Sequence, residues 1–173
     1  MSMETWDTIR SRRNVRQYTD QPISRPDLDR ILEAGRRAPS SRNWQPWHFV
    51  VVTERGQLEE LAKVWQGAGH VARSAATVGL VVAEPEDEVH RAWAQYDLGQ
   101  ATAYMMLAAA DLGIGSGHAS VHDQGQARRV LGFPEEYELE YVIAFGYPAS
   151  RPLRPIRSPD RRSFDEVVHW GRW

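Results

Sequence analysis

Apolar positions along this chain recur with two different periods, broken by glycine and proline. Trp6 and Ile9, three residues apart, predict a short opening helix that runs into a basic cluster. Ser24, Arg25, Pro26 and Asp27 read as a helix start, with Ser24 as N-cap and Asp27 at the third position. Leu28, Ile31 and Leu32 give that helix its apolar face, and Gly35 is its expected stop. Residues 38–47, interrupted by Pro39 and Pro46, form a loop. The β-branched run 48–53 then predicts a strand, and Leu58, Leu61, Ala62 and Trp65 an amphipathic helix. A second buried strand is expected over 76–82, and one long helix over 90–112, too apolar on several sides for a surface element. Gly113 follows as its stop, and 114–120 is a short glycine-rich return. Residues 126–131 form a helical turn ended by Gly132, and 139–145 a third strand run. The proline-bearing stretch 151–160 is extended, and Ser163 with Glu166 forms a capping box that opens a terminal helix toward Val167, Val168 and Trp170. Strands and helices mix without strict alternation, so the fold class is α+β, in one domain over 1–173.

Composition narrows the chemistry. The 173 residues are 42% hydrophobic and 25% charged, close to the average for globular proteins. Cysteine is absent, which removes disulfides, thiolate metal sites and a cysteine nucleophile together. No stretch reads as a signal peptide or is long enough to span a bilayer, so a cytoplasmic protein without membrane contact is expected. The net charge of −2 gives no bias toward nucleic acid. The basic residues are nevertheless unevenly placed. All but Lys63 are arginine; they cluster with no acid at 10–16 and again at 151–162 against the single acid Asp160, while the main acidic run lies at 84–88. Two arginine clusters at opposite ends of a small domain suit convergence on one anion.

If residues 12–16 are helical, Arg12 and Arg16 share a face, as do Arg13 and Arg16. Such a fork matches a phosphate, which accepts paired guanidinium donors. Gly113, Gly115 and Gly117 follow a helix and lead into a strand, the reverse of a dinucleotide-binding fingerprint. They read as a helix cap plus backbone that something flat must approach. His118 and His122 lack a third ligand nearby, so no metal is expected. Trp44 and Trp47 flank Gln45 and Pro46 in the loop, a placement where an aromatic can border a flat ligand. No catalytic acid, base or nucleophile stands out.

Two segments carry a resemblance. Arg12-Arg13-Asn14-Val15-Arg16-Gln17-Tyr18 resembles the opening motif of the flavin-dependent nitroreductase family. The run 38–49, reading APSSRNWQPWHF, is similar to the family's APSSxNxQPWxF signature in order and spacing. The glycine segment and the ending 161–168 are also similar, so the likeness covers nearly the whole chain, as a short member. It implies a nitroreductase-like fold with a central, mainly antiparallel sheet flanked by helices. It also implies an intertwined homodimer with flavin sites at the interface. FMN would be the cofactor, with Arg12, Arg16 and Arg161 or Arg162 toward its phosphate. Arg13 and Asn14 would lie toward the ribityl or pyrimidine side. Pro39, Ser40, Ser41 and Asn43 would approach the flavin, the serines often from the other subunit, and the Gly115 and Ser116 backbone would lie near the ring. Tyr96, Gln100 and Tyr104 of the long helix would line the dimer seam. NADH or NADPH would be the reductant, with hydride passing through flavin N5 to a nitroaromatic, quinone or similar small acceptor. The alternatives are a flavin-holding protein without turnover, or dehalogenation, flavin cleavage or azoline oxidation on the same fold. Asn14 stands where the family usually has serine. A helical insertion over the substrate pocket is absent. Gln66 and His70 are the nearest substitutes for polar residues that some members place before the second strand.

Overall fold

The structure, a computed structural model, describes residues 3–173; Met1 and Ser2, the start of the expected 1–173 domain, lie outside the described residues. The β-branched and glycine-rich runs pair as one antiparallel sheet of β1 (His48–Val52), β2 (Ala76–Ala83), β3 (Gly115–Ser120) and β4 (Tyr137–Gly146), in the order β1-β2-β4-β3. His48 pairs with Val81, Val78 with Ile143 and Ala119 with Val142. Strand alternation buries Val78, Leu80 and Val82 in one layer and Val81 in the other, while a register shift between Leu80 and Val81 leaves Glu140 of β4 as the extra residue. This is the α+β, antiparallel fold expected from the sequence.

Both faces of the sheet are covered. On one, Ile31 of α2 (Arg25–Arg36) and Leu98, Ala101 and Met105 of α4 (Glu88–Asp111) pack with Val78, Leu80, Ile143 and Phe145. On the other, Leu58 and Leu61 of α3 (Arg55–Leu61), Val71 of a 3-10 segment (Gln66–Arg73) and Ala127 of α5 (Gln124–Leu131) pack with Val81, Leu139 and Val142. Local signals set the helix ends. The Ser24 hydroxyl accepts from the Asp27 amide, Asp87 caps α4 through the His90 amide, and Gly132 closes α5 at φ 71°. No helix among the described residues is long and apolar enough to cross a membrane.

Two local expectations are corrected. Gly35 does not stop α2, which runs on to Arg36; a Cβ there would sit 2.7 Å from Met105 Cγ, so the glycine admits α4 at close approach. The second concerns the basic cluster. Helix α1 (Thr5–Ser11) takes in only Arg10 of it and ends at Ser11, and Arg12 is already extended at φ −66° and ψ 128°. Asn14 instead bridges Ser116 in parallel, with the Val15 amide donating to the Ser116 carbonyl at 2.8 Å. The helical face sharing of Arg12 and Arg16 therefore gives way to strand alternation, which sets Arg12, Asn14 and Arg16 on one side and Arg13 and Val15 on the other.

This crossing explains the glycines. A Cβ on Gly117 would lie 2.5 Å from the Val15 carbonyl oxygen, and one on Gly115 would lie 2.7 Å from a Val15 methyl. The close neighbour required by the glycine pattern is thus the chain's own amino-terminal segment. Tyr18 locks it by donating to the Val15 carbonyl at 2.6 Å, and burial pushes the phenol well above its ordinary pKa.

Candidate functional site

Extended backbone at 12–16 lays its arginines along the β3 edge and the C-terminal half of α4. Arg12 donates to the Asn14 side-chain oxygen at 3.0 Å and lies 3.2 Å from the Met106 sulfur. It borders a depression of about 550 Å³ that Leu98, Thr102, Met106, His118 and Tyr141 also line. Arg161 approaches from the C-terminal segment, while Arg162 donates instead to the Glu166 carbonyl of α6 (Phe164–Val167) at 2.9 Å. Of the two terminal candidates, Arg161 joins the cluster.

Electrostatics make this corner unusual. The Arg12 guanidinium is held below its ordinary pKa by burial and then by the neighbouring charge of Arg161. His118 is lowered by burial and then by Arg12, Arg16 and His70. His70, buried with Nε2 3.2 Å from the Gly117 carbonyl oxygen, is lowered mainly by burial, with Arg16 adding to it. No carboxylate pairs with Arg12, Arg16 or Arg161 among the described residues. Like charges converge here without a counter-ion, which is the donor set an anionic group fits.

Both histidines carry a pH consequence. Their folded pKa lies below the unfolded value of 6.5, so the unfolded chain takes up protons first as pH falls. Their stabilising contribution is complete above about pH 6.5 and is lost below it. The melting temperature is expected to fall between about pH 7 and pH 5.5. The double variant His70→Gln, His118→Gln should fall less over that window; parallel curves would contradict the assignment.

Arg13 lies apart from the cluster. Its guanidinium donates to the carbonyls of Arg151, at 2.7 Å, and Pro152, so it anchors the extended tail. Gly115 and Ser116 are buried beneath the amino-terminal segment. His122 stacks on Trp65, away from His118.

The loop bearing Pro39, Ser40, Ser41 and Asn43 is a second centre. Buried Asp97 of α4 accepts the Ser41 amide at 2.9 and 3.1 Å and the Ser41 hydroxyl at 3.3 Å. The Ser40 hydroxyl accepts the Gln45 amide at 2.9 Å. These bonds hold a strained path, because Arg42, Asn43 and Gln45 all have left-handed φ of 51°, 60° and 52°. Trp47 is buried and stacked on Phe49, whereas Trp44 stays exposed. Asp97 belongs to no motif, and its one signal in the sequence is an acid among the buried positions Ala94, Leu98 and Ala101.

The two centres do not meet within one chain. Ser41 is fastened at Asp97 and Arg12 at Met106, about 13 Å apart along the α4 axis at ~1.5 Å per residue. Ser41 also lines a different depression. Trp6 and Ile9 of α1 and Tyr96 and Tyr104 of α4 are exposed.

Comparison with known proteins places these features. The family model described as "Nitroreductase family" matches residues 9–76 and 64–147. A protein of Archaeoglobus fulgidus with the provisional name "NADH dehydrogenase/NAD(P)H nitroreductase" is 33% identical, over 95% of this chain and 96% of its own. A solved "FMN-dependent Nitroreductase" from Clostridium difficile is 25% identical with a TM-score of 0.83, covering 96% of this chain and 98% of that one. The NADPH:FMN oxidoreductase of Vibrio harveyi, 23% identical over 96% of this chain and 76% of its own, shares the fold at a TM-score of 0.84.

Proposed function

The chain belongs to the nitroreductase family, and on that premise we propose that it is an FMN-dependent NAD(P)H oxidoreductase for small aromatic acceptors, working as a homodimer of single-domain chains. The observation that carries this reading is an uncompensated positive cluster at an apolar depression: Arg12 borders the depression beside Arg161, and Arg12 and Arg16 both act on His118 of its lining. A phosphate monoester would satisfy the arginines, and Leu98 and Met106 would exclude water from a flat ring system. Bound FMN would supply the redox chemistry, accepting hydride from NADH or NADPH and returning it to a nitroaromatic, quinone or similar acceptor.

The chain's own residues position and polarise. Arg12 and Arg16 supply charge-assisted donors, Asn14 orients Arg12, and neutral His118 adds a hydrogen-bonding ring at the same edge. Asp97 holds Ser41 and the strained loop in one conformation. The separation of the loop from the arginines supports a site completed by a second copy, with the loop of one chain facing the arginines of the other. The exposed aromatics of α1 and α4, together with Phe164, Trp170 and Trp173 of the C-terminal segment, are apolar surface that such a dimer would cover.

The visible spectrum tests the assignment. Purified protein is expected to be yellow, to release FMN on denaturation, and to bleach on anaerobic addition of NADH or NADPH. Release of FAD, or failure to bind any flavin on reconstitution, would overturn it. A yellow protein that neither nicotinamide bleaches would return the chain to the flavin-holding alternative.

A further inference from the structure

A second depression, of about 520 Å³, lies beside Ser41 at the N-terminal half of α4. Its walls are Trp44 from the loop and His90 and Trp93 from the helix. The two indoles are 44% and 40% exposed, unusual for tryptophans that share one hollow. His90 meets Trp44 edge-on at 6.3 Å and Trp93 at 5.2 Å between ring centroids, so three rings frame the space at steep angles. Asp87 fixes the imidazole through Nδ1 at 2.8 Å and also accepts the His90 amide at 2.9 Å, so its carboxylate is engaged. Arg42 stands over Trp93 with its guanidinium carbon 6.0 Å from the ring centroid. It has no ion-pair partner among the described residues and is held there by the left-handed backbone clamped through Ser41.

Electron-rich indoles favour a flat, electron-poor ring, and an arginine beside them favours an anionic substituent. We propose that this hollow is a subsite for flat, electron-poor aromatics bearing a carboxylate or sulfonate, a selective acceptor pocket next to the flavin edge that Ser41 borders. The proposal deepens the oxidoreductase reading and rests on it for the word acceptor; the binding itself does not depend on flavin. Trp44 and Trp93 give stacking surface, His90 closes the end, and Arg42 selects charge.

The test is calorimetric titration of the purified protein with 4-nitrobenzoate and with 4-nitrobenzamide, which share a shape and differ in charge. Flavin content is read from the visible spectrum of the same sample. Wild type is expected to bind the benzoate about five-fold more tightly, the scale of one partly exposed charge contact. Arg42→Gln should erase that preference and leave the benzamide affinity unchanged. Trp93→Leu should weaken both ligands about five- to ten-fold. Circular dichroism and melting confirm that each variant is folded, as expected for exposed positions. Equal affinity of the two ligands for wild type, no binding of either, or affinities unmoved by both substitutions would overturn the subsite. The preference appearing in a protein that binds no flavin would support the subsite while removing the oxidoreductase reading. A yellow, turning-over protein with no preference would do the reverse.

Discussion

Arg12→Met is expected to weaken FMN binding about 10- to 150-fold while leaving riboflavin binding nearly unchanged. The range follows from one charge-assisted hydrogen-bond contact to phosphate, about 1.5–3 kcal/mol, converted at about 1.4 kcal/mol per decade. Methionine keeps an unbranched stem over Met106 and removes the charge, so lost packing contributes little. The same change should leave the melting temperature of flavin-free protein unchanged or higher, because the Arg12 charge is opposed by burial and by Arg161. Arg12→Lys should recover part of the affinity, since an ammonium keeps the charge and loses the planar fork. Parallel titrations of FMN and riboflavin decide it. Equal FMN affinities for wild type and Arg12→Met would remove Arg12 from the phosphate.

Asp97→Ala is expected to destabilise the protein by about 2–4 kcal/mol, seen as a melting temperature lower by roughly 5–15 °C. The substitution strands the Ser41 amide and hydroxyl, which both donate to this buried carboxylate. It also frees a loop whose left-handed residues are costly without that anchor. Asp97→Asn keeps an acceptor for the amide and should recover most of the loss. FMN affinity should fall in Asp97→Ala even below its melting range, because the loop that presents Ser40, Ser41 and Asn43 is no longer preset. An unchanged melting temperature would show that Asp97 does not fasten the loop.

Much of the frame is legible in the sequence because its causes are local. The β-branched runs at 48–53 and 76–82 form strands over 48–52 and 76–83, and Ser24, Asp27 and Gly132 mark helix ends where their side chains or φ require. The two recognisable segments, at 12–18 and 38–49, lie within the span matched by the family model. What escapes is non-local. Nothing near Gly35 announces Met105, seventy residues away, so a packing glycine reads as a helix stop. The arginine segment looks helical because α1 runs up to it, while the pairing that makes it extended comes from Ser116. The glycines around Ser116 were legible as a demand for close approach; that Val15 and Tyr18 meet the demand required the fold. Arg13 is basic like its neighbours, and only strand alternation and the tail carbonyls of Arg151 and Pro152 separate it from them.

The most direct measurement uses both variants in one dimer. Chains carrying Arg12→Met and Asp97→Ala, co-expressed with different affinity tags and purified as hybrids, each lack one half of the site. If the arginines of one copy face the loop of the other, a hybrid contains one doubly impaired site and one intact site. FMN titration should then show one site per dimer at wild-type affinity, where neither parent homodimer shows any. A hybrid that binds FMN no better than its parents would place the whole site within a single chain and contradict the shared flavin site.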